Sequence, residues 1–367
     1  MTNMTPNNHV PQQPPVPPQT PPMPVPMPPP AQPRMYYAMP PTPMPQPQID
    51  ERVVKAKRAA SSIGAGFSFI VVLWVAITLL LQSAFMWMKS SMAGWMAITI
   101  SDFALCVCAI PIGYQLFRNT PLLRTRRFRL RFSQWFVFLL MCLPIMWVGN
   151  ILGIVLSALL SNGTADNRIA TMMTGSNWFV IVIATVIVAP LVEEWLFRKQ
   201  IIGRLRRYGE RPAIVLSALF FGLFHLNLYQ FFYAFGLGLL FGYVYTRTSQ
   251  LRYTVALHMA INGGSAVIAT PLLAKYERII TKPDILTHPQ TADVVVIVCL
   301  ACYLVLMLAG LIAGLVLLIR RRQRFRCYTA PDELPRQAVM PTFYGNAGVI
   351  VFLCLGVLGT LLMTFVN

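Results

Sequence analysis

Nine long apolar segments follow one another along the chain, and they constrain its fold more than any other feature. A helix needs about 20 residues to cross a hydrocarbon core roughly 30 Å thick. Seven segments are that long, whereas the fifth and sixth are shorter and almost adjacent, which predicts a tight helical hairpin. The segments are 63–88, 92–117, 133–160, 177–200, 212–228, 229–247, 252–274, 292–319 and 346–366. The pattern predicts an all-α polytopic membrane protein with eight or nine transmembrane helices.

The composition supports this fold class. Hydrophobic residues make up 56% of the 367 residues and charged residues only 11%, whereas a soluble protein has about 25% charged residues. A secreted disulfide scaffold, a fibrous protein and an ordinary cytosolic enzyme are therefore excluded. Six of the seven cysteines lie in apolar runs and are expected to be buried free thiols.

The net charge of +18 is explained by the loops. Most Lys and Arg residues precede the first span or lie in the second, fourth, sixth and eighth loops, while the first and third loops carry one basic residue each and the fifth carries none. The positive-inside rule then predicts a cytoplasmic N-terminus and an external C-terminus. These clusters also suit anionic membrane lipids. No folded basic module is visible, so nucleic acid is not an expected partner.

The N-terminal segment has a different character. Residues 1–50 hold 19 of the 30 prolines and cannot bury a core. We expect a disordered cytoplasmic tail over 1–62 that ends in a basic juxtamembrane stretch and either acts as a tether or binds a cytoplasmic partner. Transmembrane helices over 63–160 and 292–367 are expected to flank a central unit, 177–274.

The burial of an ionisable side chain in the bilayer is energetically unfavourable, so each such residue is expected to have a structural or catalytic role. Asp102, Glu193 and Glu194 are the acids found there. Arg198 lies four residues after Glu194, so these two share a helix face and are expected to pair. Glu193 points about 100° away, which leaves one carboxylate for general-base chemistry, unless the pair is only a salt bridge at a helix end. Asp102 is either a polar contact between helices or part of a cavity wall.

Two of the four histidines also lie in spans, and His9 and His288 lie in polar segments without an expected role. Phe221 lies one turn before His225, and Asn262 lies one turn after His258. An imidazole and an amide in register can donate hydrogen bonds to an oxyanion, although both can also link helices structurally. A Glu with two His can ligate zinc with one open position, but there is no H-E-x-x-H motif.

The order of these residues resembles a known family, the CAAX protease and bacteriocin-processing family of intramembrane proteases. This family includes the type II CAAX prenyl endopeptidase and lysostaphin-resistance-A-like proteins. The resemblance covers about residues 177–274 and rests on the motifs Glu193-Glu194-x-x-x-Arg198, Phe221-x-x-x-His225 and His258-x-x-x-Asn262. The stretch with Gly238-x-x-x-Gly242 is also similar to a family helix, and its glycines would permit close packing.

The resemblance implies a CAAX-type endopeptidase with a four-helix catalytic core. Glu193 and His225 would activate water, His258 and Asn262 would form the oxyanion hole, and Glu194, Arg198 and Phe221 would support the site. The family is usually called a metalloprotease family, so Glu193, His225 and His258 are possible ligands of zinc or another divalent metal. A metal-free, glutamate-dependent mechanism uses the same residue types. The substrate would be a membrane-associated peptide or protein, either lipidated or unmodified.

Two other functions use the same residues. A proton-coupled transporter could relay protons through Glu193, His225 and His258, but no inverted repeat is visible. A membrane interaction or immunity protein could keep the fold without catalysis. Loop asymmetry and cysteine use favour a bacterial cytoplasmic membrane. For catalysis Glu193 must reach the depth of His225, which predicts a fourth helix that continues beyond Gln200.

Overall fold

The computed structural model describes residues 50–88, 92–163, 177–281 and 290–365. Most of these residues are helical, and no strand occurs within those ranges. The predicted proline-rich tail, His9 and His288 lie outside the described residues, apart from the last residues of the tail segment. The described helices belong to one compact unit, Ile49–Asn367.

The described ranges contain ten helices in chain order. They are α1 Glu51–Met88, α2 Gly94–Tyr114, α3 Phe132–Leu160, α4 Trp178–Tyr208, α5 Glu210–Phe224, α6 Leu228–Thr248, α7 Leu251–Ile280, α8 Thr291–Arg321, α9 Arg336–Phe343 and α10 Ala347–Phe365. Short π-helical segments interrupt α2, α4 and α7 without ending them. Such segments are frequent at functional sites.

Eight of these described helices, all except α5 and α9, are long and apolar enough to cross a membrane. Their outer surfaces expose large apolar side chains, such as Leu80 at 68%, Leu306 at 67% and Phe179 at 70%. The exposure of so large an apolar surface is unfavourable in water and favourable in lipid. The chain is therefore an integral membrane protein, and the all-α polytopic fold class is confirmed.

Three sequence expectations need correction. α5 has 15 residues and spans about 22 Å, so the fifth apolar segment is too short to cross a membrane alone. α1 begins at Glu51 rather than 63, because Asp50 Oδ1 accepts from the Arg52 N–H and Ala56 and Ala60 are buried. All seven cysteines are free, but three of the six in apolar runs, Cys299, Cys302 and Cys354, are exposed, since the outer faces of these spans are themselves apolar.

α5 and α6 form the predicted tight hairpin. Its turn is closed by Asn227, whose Oδ1 accepts from the Tyr229 N–H at 2.9 Å. At the open end, Arg247 of α6 pairs with Glu210 of α5. A Cβ added to Gly238 would lie 2.9 Å from Ala218 Cα, which confirms the close helix packing predicted for this glycine motif.

The prediction that α4 continues beyond Gln200 is confirmed, because the helix runs to Tyr208. Glu193 lies 15 residues before Tyr208, and His225 lies 15 residues after Glu210. Only Gly209 separates the end of α4 from the start of α5. Glu193 and His225 therefore lie at similar distances, up to about 22 Å, from the point where these two helices meet.

A cluster of phenylalanines joins the central helices to the terminal ones. Phe67 of α1 lies within 6.4 Å, between ring centroids, of five other phenylalanine rings: Phe117, Phe197, Phe220, Phe224 and Phe352. All six side chains are buried. α1, α2 and α10 therefore pack directly onto α4 and α5 and help to position their polar residues.

Candidate active site

Helix α4 supplies a buried ion pair. Arg198 Nε lies 3.0 Å from Glu194 Oε2, and neither side chain has any solvent exposure. The contact spans one turn, as the spacing predicted. The predicted pairing of Glu194 with Arg198 is therefore confirmed.

Aromatic rings surround the Arg198 guanidinium. Its central carbon lies 4.5 Å from the ring centroid of Phe221 and 5.5 Å from that of Phe241. None of its three nitrogens has a hydrogen-bond partner among the described residues, so the Glu194 contact is ionic and not an aligned hydrogen bond. Cation–π attraction and the Glu194 charge together stabilise this buried cation.

Helix α7 places His258 between the two carboxylates. Its Nδ1 lies 3.1 Å from Glu194 Oε1, and its Nε2 lies 3.7 Å from Glu193 Oε2. A carboxylate accepts hydrogen bonds, so Nδ1 is the protonated nitrogen of the neutral ring. Nε2, which faces Glu193, can then donate only when the ring carries a second proton.

His225 ends helix α5 and is oriented by its own backbone. Nδ1 lies 2.8 Å from the Phe221 carbonyl oxygen, which can only accept, so Nδ1 carries the proton and Nε2 is left as an acceptor. The Phe221 ring centroid lies 5.1 Å from that of His225 and 5.8 Å from that of His258. One aromatic ring thus contacts both imidazoles.

Glu193 is the carboxylate without a cation of its own. Its side chain is 18% exposed, and Oε2 is buried without a hydrogen-bond partner in the described part of the chain. Half-buried Asp102 of α2 interacts with it electrostatically, which places Asp102 near the site. A carboxylate with an oxygen in this position can accept a proton from water.

Asn262 is anchored one turn beyond His258. Its Nδ2 donates to the Thr185 carbonyl oxygen at 2.8 Å. An amide nitrogen carries two hydrogens, so one N–H of Asn262 remains for another acceptor. Thr185 lies two turns before Glu193 on α4, and this bond therefore fixes α7 against α4.

Comparison with known proteins connects this geometry to a family. Residues 175–264 match the model of the family described as "Type II CAAX prenyl endopeptidase Rce1-like". The matched segment contains all three motifs. This segment of the chain is Rce1-like. The resemblance to the CAAX protease family that the motifs predicted is confirmed for this segment.

A curated relative supports the same family. The membrane-embedded CAAX protease MroQ of Staphylococcus aureus (strain USA300) is 34% identical over 84 residues, which are 21% of this chain and 34% of that protein. The match thus spans about a third of the relative's length. No solved structure matches this chain.

Sequence reasoning missed two residues in the Rce1-like segment. Phe241 contacts both Arg198 and His258, with its ring centroid 5.7 Å from that of His258. The sequence signal for Phe241 was its position as the single aromatic residue between Gly238 and Gly242 of α6. Thr185 contributes its backbone carbonyl, while its hydroxyl donates to the Ile181 carbonyl of the same helix, so no side-chain signal in the sequence indicates its contact with Asn262.

A cavity of about 320 Å³ adjoins His225. Its other walls come largely from α1, α2 and α10, outside the Rce1-like segment, through residues that include Trp74, Thr78, Ser101 and Met363. No charged residue lines it. The cavity therefore suits an uncharged, largely apolar group.

The predicted metal ligands do not form a three-ligand set. Among the described residues, no group of three or more His, Cys, Asp or Glu side chains could hold a metal ion. Glu193 and His258 approach one another, but His225 directs Nδ1 to a backbone carbonyl. Metal binding by Glu193, His225 and His258 stays a prediction, and these side chains as placed do not fit it.

Proposed function

We propose that this protein is an intramembrane endopeptidase that hydrolyses a peptide bond of a membrane-associated peptide or protein, with or without a lipid modification. The observation that carries the proposal is the arrangement around Glu193. This partly exposed carboxylate has an oxygen without a hydrogen-bond partner in the described structure, and it faces a histidine held by a buried ion pair. The family match of residues 175–264 and the membrane fold support the same reaction class.

The proposed first step is attack by water. Glu193 Oε2 accepts one water proton, while Nε2 of His225 accepts a hydrogen bond from the other hydrogen. The water oxygen forms a bond to the scissile carbonyl carbon, whose oxygen becomes an oxyanion. Protonated Nε2 of His258 and the remaining N–H of Asn262 donate to this oxyanion.

Collapse of the intermediate completes the reaction. The carbon–nitrogen bond breaks, and Glu193 returns its proton to the departing amine, so the carboxylate is regenerated. Glu194 stays paired with Arg198 and holds His258 through Nδ1. Glu194 and Arg198 are thus positioning residues, and no step passes through a metal ion.

We further propose that the N-terminus is cytoplasmic and that the C-terminus lies outside a bacterial cytoplasmic membrane. Basic residues from several loops meet at one end of the structure. Arg207 pairs there with Asp332, and Arg52 donates to the Glu333 carbonyl. The positive-inside rule assigns this end to the cytoplasm. Labelling of single cysteines with a membrane-impermeant reagent, compared between right-side-out and inverted vesicles, tests this assignment.

Cleavage by the purified full-length protein tests the function. Glu193→Gln and His225→Ala should each abolish the cleavage of membrane peptides and leave the thermal unfolding temperature unchanged within about 2 °C, since neither side chain is fully buried. Glu277→Gln, an exposed carboxylate on α7, is the matched control and should retain activity. Retained cleavage in both site variants would refute the proposal.

The alternatives give different outcomes. A proton-coupled transporter would move substrate into liposomes and release no cleavage product. A non-catalytic interaction or immunity protein would retain its cellular effect in a Glu193→Ala variant. A divalent-metal enzyme would lose cleavage in chelator and recover it with zinc.

A further inference from the structure

A second cavity, of about 410 Å³, lies at the end of the helices opposite the hairpin turn. It is formed by the end of α4, the start of α5, the end of α6, the connection between α2 and α3, and the segment before α9. Its lining includes Arg126, Arg206, Glu210, Arg247, Ser249 and Tyr328. None of these residues belongs to the proposed catalytic site.

The charge of this cavity is strongly positive. Three arginines line it and only one acid does. The acid, Glu210, is already engaged, because it pairs with Arg247 and accepts from the Tyr328 N–H at 2.8 Å. The charges of Arg126 and Arg206 are therefore not neutralised by any acid that lines the cavity.

Arg206 is buried and incompletely satisfied. It is 4% exposed, and its terminal nitrogens donate to the Thr246 carbonyl, Ser249 Oγ and Thr125 Oγ1. Its Nε, and that of Arg247, are buried without a hydrogen-bond partner among the described residues. Buried charged donors without acceptors are unfavourable, so these two unsatisfied Nε groups indicate that a ligand supplies an acceptor here.

The position of the cavity identifies the source of that acceptor. The apolar spans α4 and α6 end at Tyr208 and Thr248, and α7 begins at Leu251. Residues at these ends lie where a span leaves the hydrocarbon core and enters the headgroup region. Phosphate diesters are the anionic acceptors of that region, and arginine binds them with paired, charge-assisted hydrogen bonds.

We propose that the cavity binds the phosphate of an anionic lipid headgroup through Arg126, Arg206 and Arg247. The hydroxyl of Ser249 lies among these donors, 3.1 Å from a terminal nitrogen of Arg206. The bound phosphate links the connection between α2 and α3 with the ends of α4 and α6, and the pair of Arg247 with Glu210 joins the start of α5 to this site. Because α4 carries Glu193 and α5 carries His225, the lipid stabilises the helices that form the active site.

Lipid binding to the detergent-purified full-length protein tests this proposal by native mass spectrometry. Phosphatidylglycerol should bind more tightly than phosphatidylcholine, and Arg126→Gln should weaken the phosphatidylglycerol affinity about tenfold, as expected for one charge-assisted contact. Arg127→Gln removes the same charge from an exposed neighbour that does not line the cavity, and it should leave the affinity nearly unchanged.

Several results would overturn the proposal. Equal losses in Arg126→Gln and Arg127→Gln would mean general attraction to the basic surface. Equal binding of phosphatidylglycerol and phosphatidylcholine would exclude headgroup selection. Displacement of phosphatidylglycerol by millimolar inorganic phosphate would assign the cavity to a soluble phosphate. The measurement does not use cleavage, so it stands or falls independently of the endopeptidase proposal.

Discussion

Replacement of Arg198 by Met tests the buried ion pair that positions His258. The substitution keeps much of the volume but removes the cation, so Glu194 would remain charged with no solvent exposure. Removal of one partner of a buried pair costs about 3–5 kcal/mol. The contacts with Phe221 and Phe241 lose their cation–π part, which adds about 1 kcal/mol.

Thermal unfolding of the purified protein in detergent measures this effect. A total loss of about 4–6 kcal/mol lowers the unfolding temperature by roughly 5–8 °C in a chain of this size. The double variant Glu194→Gln/Arg198→Met removes both charges and should recover most of that loss, because neutral buried groups avoid the unpaired charge. Cleavage should stay impaired in the double variant, since Nδ1 of His258 then faces an amide.

Two results would refute this reasoning. A drop below about 2 °C for Arg198→Met would show that the pair does not stabilise the fold. A double variant no more stable than Arg198→Met would show that the loss arises from packing and not from the unpaired Glu194 charge. Arg336→Met, at the start of the short helix α9, provides an arginine-to-methionine control outside the site.

Three further predictions follow from the site and the hairpin. Asn262→Leu removes one proposed oxyanion donor and should lower kcat about 10²–10³-fold with little change in KM, as steady-state kinetics would measure; a selective rise in KM would contradict the role. Thr78→Phe should narrow the cavity beside His225 and raise KM for bulky substrates, whereas Leu80→Phe, on the exposed face of α1, should not. Equal effects of the two variants on KM would show that the cavity does not bind the substrate. Gly238→Ala should destabilise the α5–α6 hairpin by about 1–3 kcal/mol in thermal unfolding, because the added Cβ meets Ala218 backbone, whereas Gly264→Ala has open space and should not.

The sequence was sufficient to predict the helices that carry the motifs. Their apolar length and the residue spacing on each helix are local properties, so the Glu194–Arg198 pair and the glycine packing of α6 could be derived from periodicity. The depth argument for Glu193 and His225 also led to the correct extent of α4. It worked because helical rise converts residue number directly into distance.

The partners of each side chain across helices could not be derived in the same way. The family resemblance groups Glu193 with His225, whereas the structure places Nε2 of His258 3.7 Å from Glu193. Phe241 and Thr185 acquire their roles only through the rotation of α6 and α4. These rotations depend on packing between elements distant in sequence, which a single chain's periodicity does not specify.

Exposure was the other property that sequence patterns misjudged. In a soluble protein, cysteines in apolar runs are usually buried, but three of the six in such runs lie on exposed surfaces here. Lipid is as apolar as the interior, so the composition of a span does not distinguish its inner face from its outer face. The early start of α1 has a related cause, since Ala56 and Ala60 are buried within a segment that also carries several charges.

The central claim is that Glu193 activates water for peptide hydrolysis. The most direct measurement incubates the purified protein with membrane peptides in ¹⁸O-labelled water and identifies new C-termini by mass spectrometry. The account predicts new termini that carry one ¹⁸O atom with the wild-type protein and with Glu277→Gln, and none with Glu193→Gln. The same labelled termini in the Glu193→Gln sample would contradict it.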